Sequence, residues 1–413
     1  MVNQERLAQD FAVMQKITAP GEGINRLAFT DSDWEGRAYL MRQMEAAGLT
    51  LRTDAFGNVL GRLAGKDDSL PAVMCGSHSD SVPRGGNYDG LAGVLAAIET
   101  VRSMREDGDR PDHPVEVVLF MCEESSRFSA ATLGSRAMRG ELPLEELHRL
   151  HDKGGKSLYD VLKERGLDPD NIAAAKYTQP LKAVLELHIE QGKVLEHERL
   201  PIGIVTGIAA PARFYCEIHG DADHSGATPM SLRHDALCAA AEIILAVEHA
   251  AGAQVDPPVV GTVGVVDVTP GVMNVIPGDV ALGIDLRSID ANAREQVEQT
   301  VRSEIAAVVH ARGLSCEIRP VSKDMPAHMS PAVVEIIAQE AERLGFAYRK
   351  MPSGAGHDSM HWADYAPTGM IFIPCRDGVS HNPAEYASIE QIVTGVRLYS
   401  AVVRRLAGRG EEL

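Results

Sequence analysis

The sequence predicts an α/β protein: a mixed-sheet catalytic domain with a second, α+β unit of ferredoxin-like order inserted into it. Three observations lead there. In the first half, LPAVMCGSH, GVLAAIETVRSM and PVEVVLFMCEE read as strand, helix and strand, a right-handed βαβ unit. From residue 213 to 326 the pattern becomes strand, helix, two strands, helix, strand, which is a self-contained ferredoxin-like series. The 413 residues also exceed one ordinary core, so two domains are expected.

Taken in order, residues 1–18 and 31–48 carry apolar residues at three- and four-residue spacing and are predicted helices. The βαβ runs follow, and PLKAVLELHIEQG at 180–192 is a further strand. These strands end in chemically capable residues: His78 with Asp80, Glu123 with Glu124, and His188 with Glu190. Open α/β sheets bind ligands beyond the carboxyl ends of their strands, so an active site is expected there. In the second unit, RFYCEIHGDADHSGATPM reads as strand and loop, and SLRHDALCAAAEIILAVEHAA as a long helix. VVGTVGVVDV and DVALGIDLRSI are strands, ANAREQVEQTVRSEIAAVVHARG a helix and LSCEIRPVS a strand. The chain then returns to a helix, PAVVEIIAQEAERLG, and to MPSGAGHDSMHWA and TGMIFIPCRDGVSHNPAE. The expected domains are therefore 1–212 with 327–413, and 213–326.

Composition narrows the function. Hydrophobic residues make up 45 % and charged residues 24 %, as in a soluble globular protein. With 40 basic and 58 acidic residues the net charge is −18, which excludes nucleic acid as the main partner. A small anionic substrate remains possible, because a single arginine can bind a carboxylate. No apolar stretch approaches the roughly 20 residues of a membrane span. The N-terminus, MVNQERLAQDFAVMQKI, lacks a signal-peptide core. A cytoplasmic protein without a membrane partner is expected. The six cysteines include no CxxC pair, and Cys75 and Cys122, at the ends of strand-like runs, are expected as buried free thiols. An even count permits disulfides, but a chain of this size does not need them.

His78, Asp89, Glu124, His188 and His381 stand beside strand ends or in glycine-rich loops. Such ligands suit zinc and, more loosely, manganese, cobalt or nickel. A bridged pair of these ions, about 3.5–4 Å apart, binds water and polarises a carbonyl. Asp80 lies two residues from His78, on the same side of an extended backbone, placed to accept the imidazole's second N–H. Glu123 and Glu124 are adjacent, so their carboxylates diverge; one can ligate while the other serves as general base. Two neighbouring carboxylates make sense only beside a compensating cation. Singly, each feature has a bland reading: HxD a turn, EE a solvated face, HSGATPM a turn into a helix, SGAGHD a glycine-rich loop with His357 as a polar loop residue. Their combination points to a metal site.

In order from residue 76 to 385 stand HSDSVPRGGNYDG, EESSRF with LGSRAMRG, ELHIEQG, DHSGATPMSLRHDA, NVIPG, DLR, PSGAGHD and GVSHNPAE. This series resembles that of the M20 metallopeptidase superfamily. More narrowly, it resembles the amidase branch of N-carbamoyl-L-amino-acid hydrolases, allantoate amidohydrolases and β-ureidopropionases. The narrower likeness rests on ELHIEQG, since related peptidases place an acidic ligand where His188 stands. The resemblance implies an aminopeptidase-like catalytic domain, a lid and dimerisation domain, and two divalent ions (Zn, Mn, Co or Ni). His78 and His188 would hold one ion, Glu124 and His381 the other, with Asp89 bridging, Asp80 supporting His78 and Glu123 as general base. Gln191, His224, Asn274 and Arg287 would meet the substrate, His224 as oxyanion donor and Arg287 through its carboxylate. Gly354, Ala355 and Gly356 would add backbone groups from a loop needing glycine's freedom.

The sequence departs from that pattern in HSGATPM for HAGTTPM, in Ser79 for an apolar residue, and in the missing PN before NVIPG. None of these touches an expected ligand. The implied activity is metal-dependent hydrolysis of the linear ureido C–N bond of a small-molecule ureido acid, an N-carbamoyl-L-amino acid giving amino acid, ammonia and carbon dioxide, by a homodimer with His224 serving either its own or its partner's site. The alternatives are an allantoate or ureidoglycine amidohydrolase, an M20 peptidase or N-acyl-amino-acid hydrolase, and, in a different class, a non-catalytic metal-binding scaffold. A scaffold has no need of a general base at Glu123.

Overall fold

The apolar runs become strands in a computed structural model that describes residues 1–410 and 413. In chain order they are β1 (Thr50–Thr53), β2 (Val59–Leu63), β3 (Ala72–His78), β4 (Val115–Phe120), β5 (Leu181–Ile189), β6 (Ile202–Ile208) and β7 (Ala210–His219). There follow β8 (Val260–Thr269), β9 (Asp279–Ser288), β10 (Ser315–Lys323), β11 (Ala327–His328), β12 (Tyr348–Ser353) and β13 (Thr368–Ile373). The residues cluster into two units: Met1–Thr206 with Met329–Ser353 and His357–Leu413, and Gly207–His328 with Gly354–Gly356.

In the first unit the sheet order is β1-β2-β4-β3-β5-β13-β6, with β12 also on β6. The central strands β4, β3, β5 and β13 run parallel, while β1, β2 and β6 pair antiparallel. β3, β4 and β13 are buried along their whole length, as expected for parallel strands covered on both faces. The helix Leu91–Glu106 is apolar nearly all round and is buried from Leu91 to Met104. It packs on β3 and against the C-terminal helix Ile389–Leu406, which starts on a capping box between Ser388 and Gln391. The chain leaves β3 to form β4 on one side and β5 on the other. The carboxyl ends of three parallel strands therefore meet around β3.

The second unit is a four-stranded antiparallel sheet of order β10-β7-β9-β8. The helices Ala236–Ala253 and Ala291–Ala311 cover one face. Ile243, Val247, Val297, Val301 and Ile305 share a core with Phe214, Leu282 and Ile284. Alternation along β9 buries Val280, Leu282, Ile284 and Leu286, and leaves Asp285 and Arg287 together on the opposite face. The expected boundaries were 213 and 326; the unit begins at Gly207 and ends at His328. The extra residues belong because Gly207 and Ile208 pair with His328 and Ala327. One expectation is corrected: the helix Ala236–Ala253 is by length and composition apolar enough to cross a bilayer. One face of it, however, lies in this core. All six cysteines are free, and Cys75, Cys122, Cys216 and Cys375 are buried.

Candidate active site

The loop after β3 shows why a histidine and two aspartates share a glycine-rich turn. His78 ends β3 opposite Phe120 of β4. Three residues past β4, Glu123 and Glu124 follow Cys122, which takes φ +58° and turns the chain. His188 lies in β5, paired with Phe372 of β13. Gly90, at φ +61°, opens the helix that starts at Leu91. A Cβ there would lie 2.4 Å from His78 Nε2, so only glycine permits that approach. The Gly90 N–H donates to His188 Nε2 at 3.0 Å.

Two donor groups result, His78–Asp89–His188 and Asp89–Glu124–His381, each with ligand atoms within 4.8 Å of one another. Asp89 is common to both. Its Oδ1 lies 3.1 Å from His188 Nε2 and 3.4 Å from His78 Nε2. Its Oδ2 lies 3.2 Å from His381 Nε2, and Glu124 Oε1 is 3.3 Å from that same nitrogen. Glu123 Oε2 stands 3.7 Å from His78 Nε2.

Asp80 was expected on the His78 imidazole. Its backbone carbonyl is the nearer acceptor of Nδ1, at 3.2 Å, with the carboxylate at 3.4 Å. The carboxylate also accepts the backbone N–H groups of Glu123 and Glu124, at 3.2 and 3.1 Å, and so fixes the turn that aims both glutamates.

The charges are arranged for a cation. Asp80, Asp89, Glu123 and Glu124 are buried together, and their ion-pair partners among the described residues are imidazoles. Burial pushes the Glu123 carboxyl well above its usual range, with Glu124, Asp358 and Asp80 adding to it. Burial and then Asp89 push Glu124 up to about 7. Burial also acts upward on Asp89, but the charge and hydrogen bonds of His188, His381 and His78 outweigh it and hold Asp89 well below the carboxylate range. A set of three imidazoles and two carboxylates, with this charge excess around it, fits divalent metal ions.

Around this set stand residues that sequence reasoning passed over. Glu385 accepts the N–H groups of Tyr88 and Asp89 through Oε1. Ser380 Oγ lies 3.0 Å from both Asp89 Oδ2 and Glu385 Oε2. GVSHNPAE contained both; only His381 was read from it. Gln191 Nε2 donates to Asp89 Oδ2 at 2.7 Å, while its buried Oε1 has no hydrogen-bond partner among the described residues. His357 is buried, edge-on to His188 with ring centroids 4.6 Å apart, and Ser353 Oγ lies 3.0 Å from its Nε2.

The second unit gathers the other candidates in two places. His224 bridges to Val275, and the Ser225 N–H donates to the Asn274 carbonyl at 3.1 Å. His224 Nδ1 accepts the N–H groups of Gly226 and Ala227, at 3.1 and 3.2 Å. That assigns the proton to Nε2, which is exposed as a donor. Arg287 gives its Nε and Nη2 to Asp285 at 3.0 Å each, and its Nη1 to the Gly354 carbonyl at 2.9 Å. Asp285, also bound by Arg213, aims the guanidinium; DLR at period two was the signal for it. Neither Gly354 nor Gly356 has a positive φ, and a Cβ at Gly354 would meet open space. The expected need for glycine's freedom is therefore absent there.

Comparison with known proteins places these features in a family. The model of peptidase family M20/M25/M40 matches residues 74–405. An N-carbamoyl-L-amino acid amidohydrolase of Geobacillus stearothermophilus is 41 % identical over 98 % of this chain and 99 % of its own. A ureidoglycolate hydrolase of Arabidopsis thaliana is 39 % identical over 94 % of this chain and 83 % of its own. The crystal structure of a hydantoinase/carbamoylase family amidase from Burkholderia multivorans superposes with a TM-score of 0.91, at 36 % identity and 98 % coverage of both chains.

Proposed function

The chain belongs to peptidase family M20/M25/M40 and is a hydrolase of amide-type C–N bonds, and we propose that it is a cytoplasmic enzyme cleaving the ureido group, R–NH–CO–NH2, of an N-carbamoyl-L-amino acid. The observation that carries this reading is Asp89, shared between two three-residue donor groups, together with the likeness to the Geobacillus amidohydrolase. Two divalent cations (zinc, manganese, cobalt or nickel) would be held by His78 and His188 on one side and by Glu124 and His381 on the other, with Asp89 across both. Bound there, such ions supply Lewis acidity toward water and the ureido carbonyl.

Glu123, whose Oε2 stands 3.7 Å from His78 Nε2, takes the proton of the attacking water. It returns that proton to the departing nitrogen. His224 donates from Nε2 to the carbonyl oxygen as charge builds there, since Nδ1 is occupied by two backbone N–H groups. Arg287, its Nε edge on Asp285 and one Nη1 hydrogen on the Gly354 carbonyl, offers its remaining Nη hydrogens to the substrate carboxylate. Gln191 Oε1, buried and without a partner among the described residues, accepts a ureido N–H, with Asn274 and the backbone of Gly354, Ala355 and Gly356 completing the contacts. Hydrolysis yields the amino acid and carbamic acid, which breaks down to ammonia and carbon dioxide.

The second unit would serve as lid and dimerisation surface of a homodimer. Its edge strand β8 exposes Val260, Val265 and Val266, a row open to pairing with a second copy. Mixed dimers of His224→Ala and Glu123→Gln chains regain turnover only if His224 serves the partner's site.

A second reading, a purine-derived ureide such as allantoate or ureidoglycine, is favoured by the likeness to the Arabidopsis ureidoglycolate hydrolase. Ammonia release from carbamoyl amino acids and from these ureides, with and without chelator, separates the two. No release from any of them by metal-loaded enzyme would overturn both.

A further inference from the structure

Asp89 stands just before the first turn of the helix Leu91–Glu106. At the other end of that helix, roughly 24 Å away at about 1.5 Å per residue, lies a cavity of about 540 Å³. Arg52, Arg62, Arg105 and Arg110 all line it, in a chain whose net charge is −18.

The carboxylates nearby do not account for these cations. Arg62 is paired with Glu116 at 2.9 Å. Asp109 is taken by Arg404 at 2.6 Å, and Asp68 accepts the Gly65 N–H at 3.0 Å. That leaves Arg52, whose nearest carboxylate oxygen is 3.9 Å away and whose guanidinium lies over the Tyr177 ring. It leaves Arg110, bound only to the Gly65 carbonyl at 3.2 Å. The Arg105 side chain has no hydrogen bond or ion pair among the described residues. A cation in the last turn of a helix favours the helix dipole, which explains Arg105 alone and not the three together. Gly48 makes room for it: a Cβ there would lie 2.1 Å from Arg105 Nη1. Leu51 and Leu63 supply an apolar wall.

We propose that this cavity binds a phosphorylated small molecule of mononucleotide size. Guanidinium groups recognise phosphate oxygens through paired N–H donors, and three of them lining one cavity suit the three free oxygens of a phosphate monoester. The volume is that of an ordinary small-molecule site, with Leu51 and Leu63 against the uncharged part of the ligand.

The test is calorimetric titration of the full-length, metal-loaded protein with AMP, with adenosine and citrate as comparators. The proposal expects saturable AMP binding, none with adenosine, and affinity weakened by about tenfold or more, roughly 1.4 kcal/mol, in the Arg105→Gln/Arg110→Gln double variant. If that variant loses its fold, Arg52→Gln on β1 carries the same expectation. Absence of saturable AMP binding overturns the site. So does undiminished binding in the variants, which would place AMP elsewhere, at the metal ligands for example. Citrate binding as tightly as AMP, with the same loss in the variants, overturns the phosphate assignment.

Discussion

Gly90→Ala tests how closely backbone geometry and metal binding are joined. Gly90 adopts φ +61° and ψ −47°, a sparsely populated region where an L-residue costs about 1–3 kcal/mol. The new Cβ would sit 2.4–2.5 Å from three ring atoms of His78, where ordinary contact begins at 3.4 Å. The imidazole must therefore withdraw by about 1 Å, several times the roughly 0.2 Å tolerance of a metal–ligand distance. Gly108→Ala is the control: its φ is +71° and its Cβ would meet nothing within 4 Å. Both variants should lose about 2–4 °C in Tm for each kcal/mol of backbone strain. Only Gly90→Ala should also lose metal affinity, by about 100-fold or more, and turnover with it. Thermal melts, chelator-buffered zinc titrations and ammonia release measure all three. Equal metal affinity in the two variants would refute the reasoning.

Other outcomes follow from neighbouring contacts. Ser380→Ala removes a hydroxyl that holds Asp89 Oδ2 and Glu385 together, and metal affinity should fall by about tenfold; unchanged chelator resistance would remove Ser380 from the account. Asp285→Ala frees the guanidinium of Arg287 and should raise KM by about tenfold with little change in kcat, the charge-assisted pair being worth about 1.5–3 kcal/mol; an unchanged KM would contradict the aiming role. Asp33 is not among the ligand candidates, although the charge of Asp80 reaches it. Burial raises its carboxyl to about 6, against the opposing charge of Arg37. A raised carboxyl favours the folded state when protonated, so stability is full below about pH 4 and declines as pH rises through about 6. Asp33→Asn should flatten that slope in Tm measured from pH 4.5 to 7, and parallel profiles for the two proteins would sink the assignment.

The legible parts of the fold were those whose burial is uniform. β3, β4 and β5 read as strands because apolar residues face covering layers on both sides, and the second unit because two long helices punctuate its strands. The edge strand β1 did not, since its burial pattern is mostly exposed and carries no alternation. The helices Leu133–Arg139, Leu144–Arg149 and Leu158–Glu164 are six or seven residues each, too short for a helical period to emerge. At the site, the ligand candidates stood at strand ends or, for Asp89 and His381, in glycine-bearing loops, where chemistry and topology coincide. The supports did not stand out, because Ser380 meets Asp89 across 291 residues of chain. The Asp80 carboxylate likewise meets the amides of Glu123 and Glu124 across 43 and 44 residues. Such partnerships leave no local spacing to read.

The division of labour between Glu123 and its ligating neighbours is the centre of the account. The measurement that addresses it most directly is ammonia release by Glu123→Gln enzyme, paired with metal content determined on the same sample. Turnover should fall by about 10²–10⁴-fold, the usual worth of a positioned general base, with metal content equal to that of the unaltered protein. Turnover near that of the unaltered protein, or loss of metal in step with activity, would contradict it.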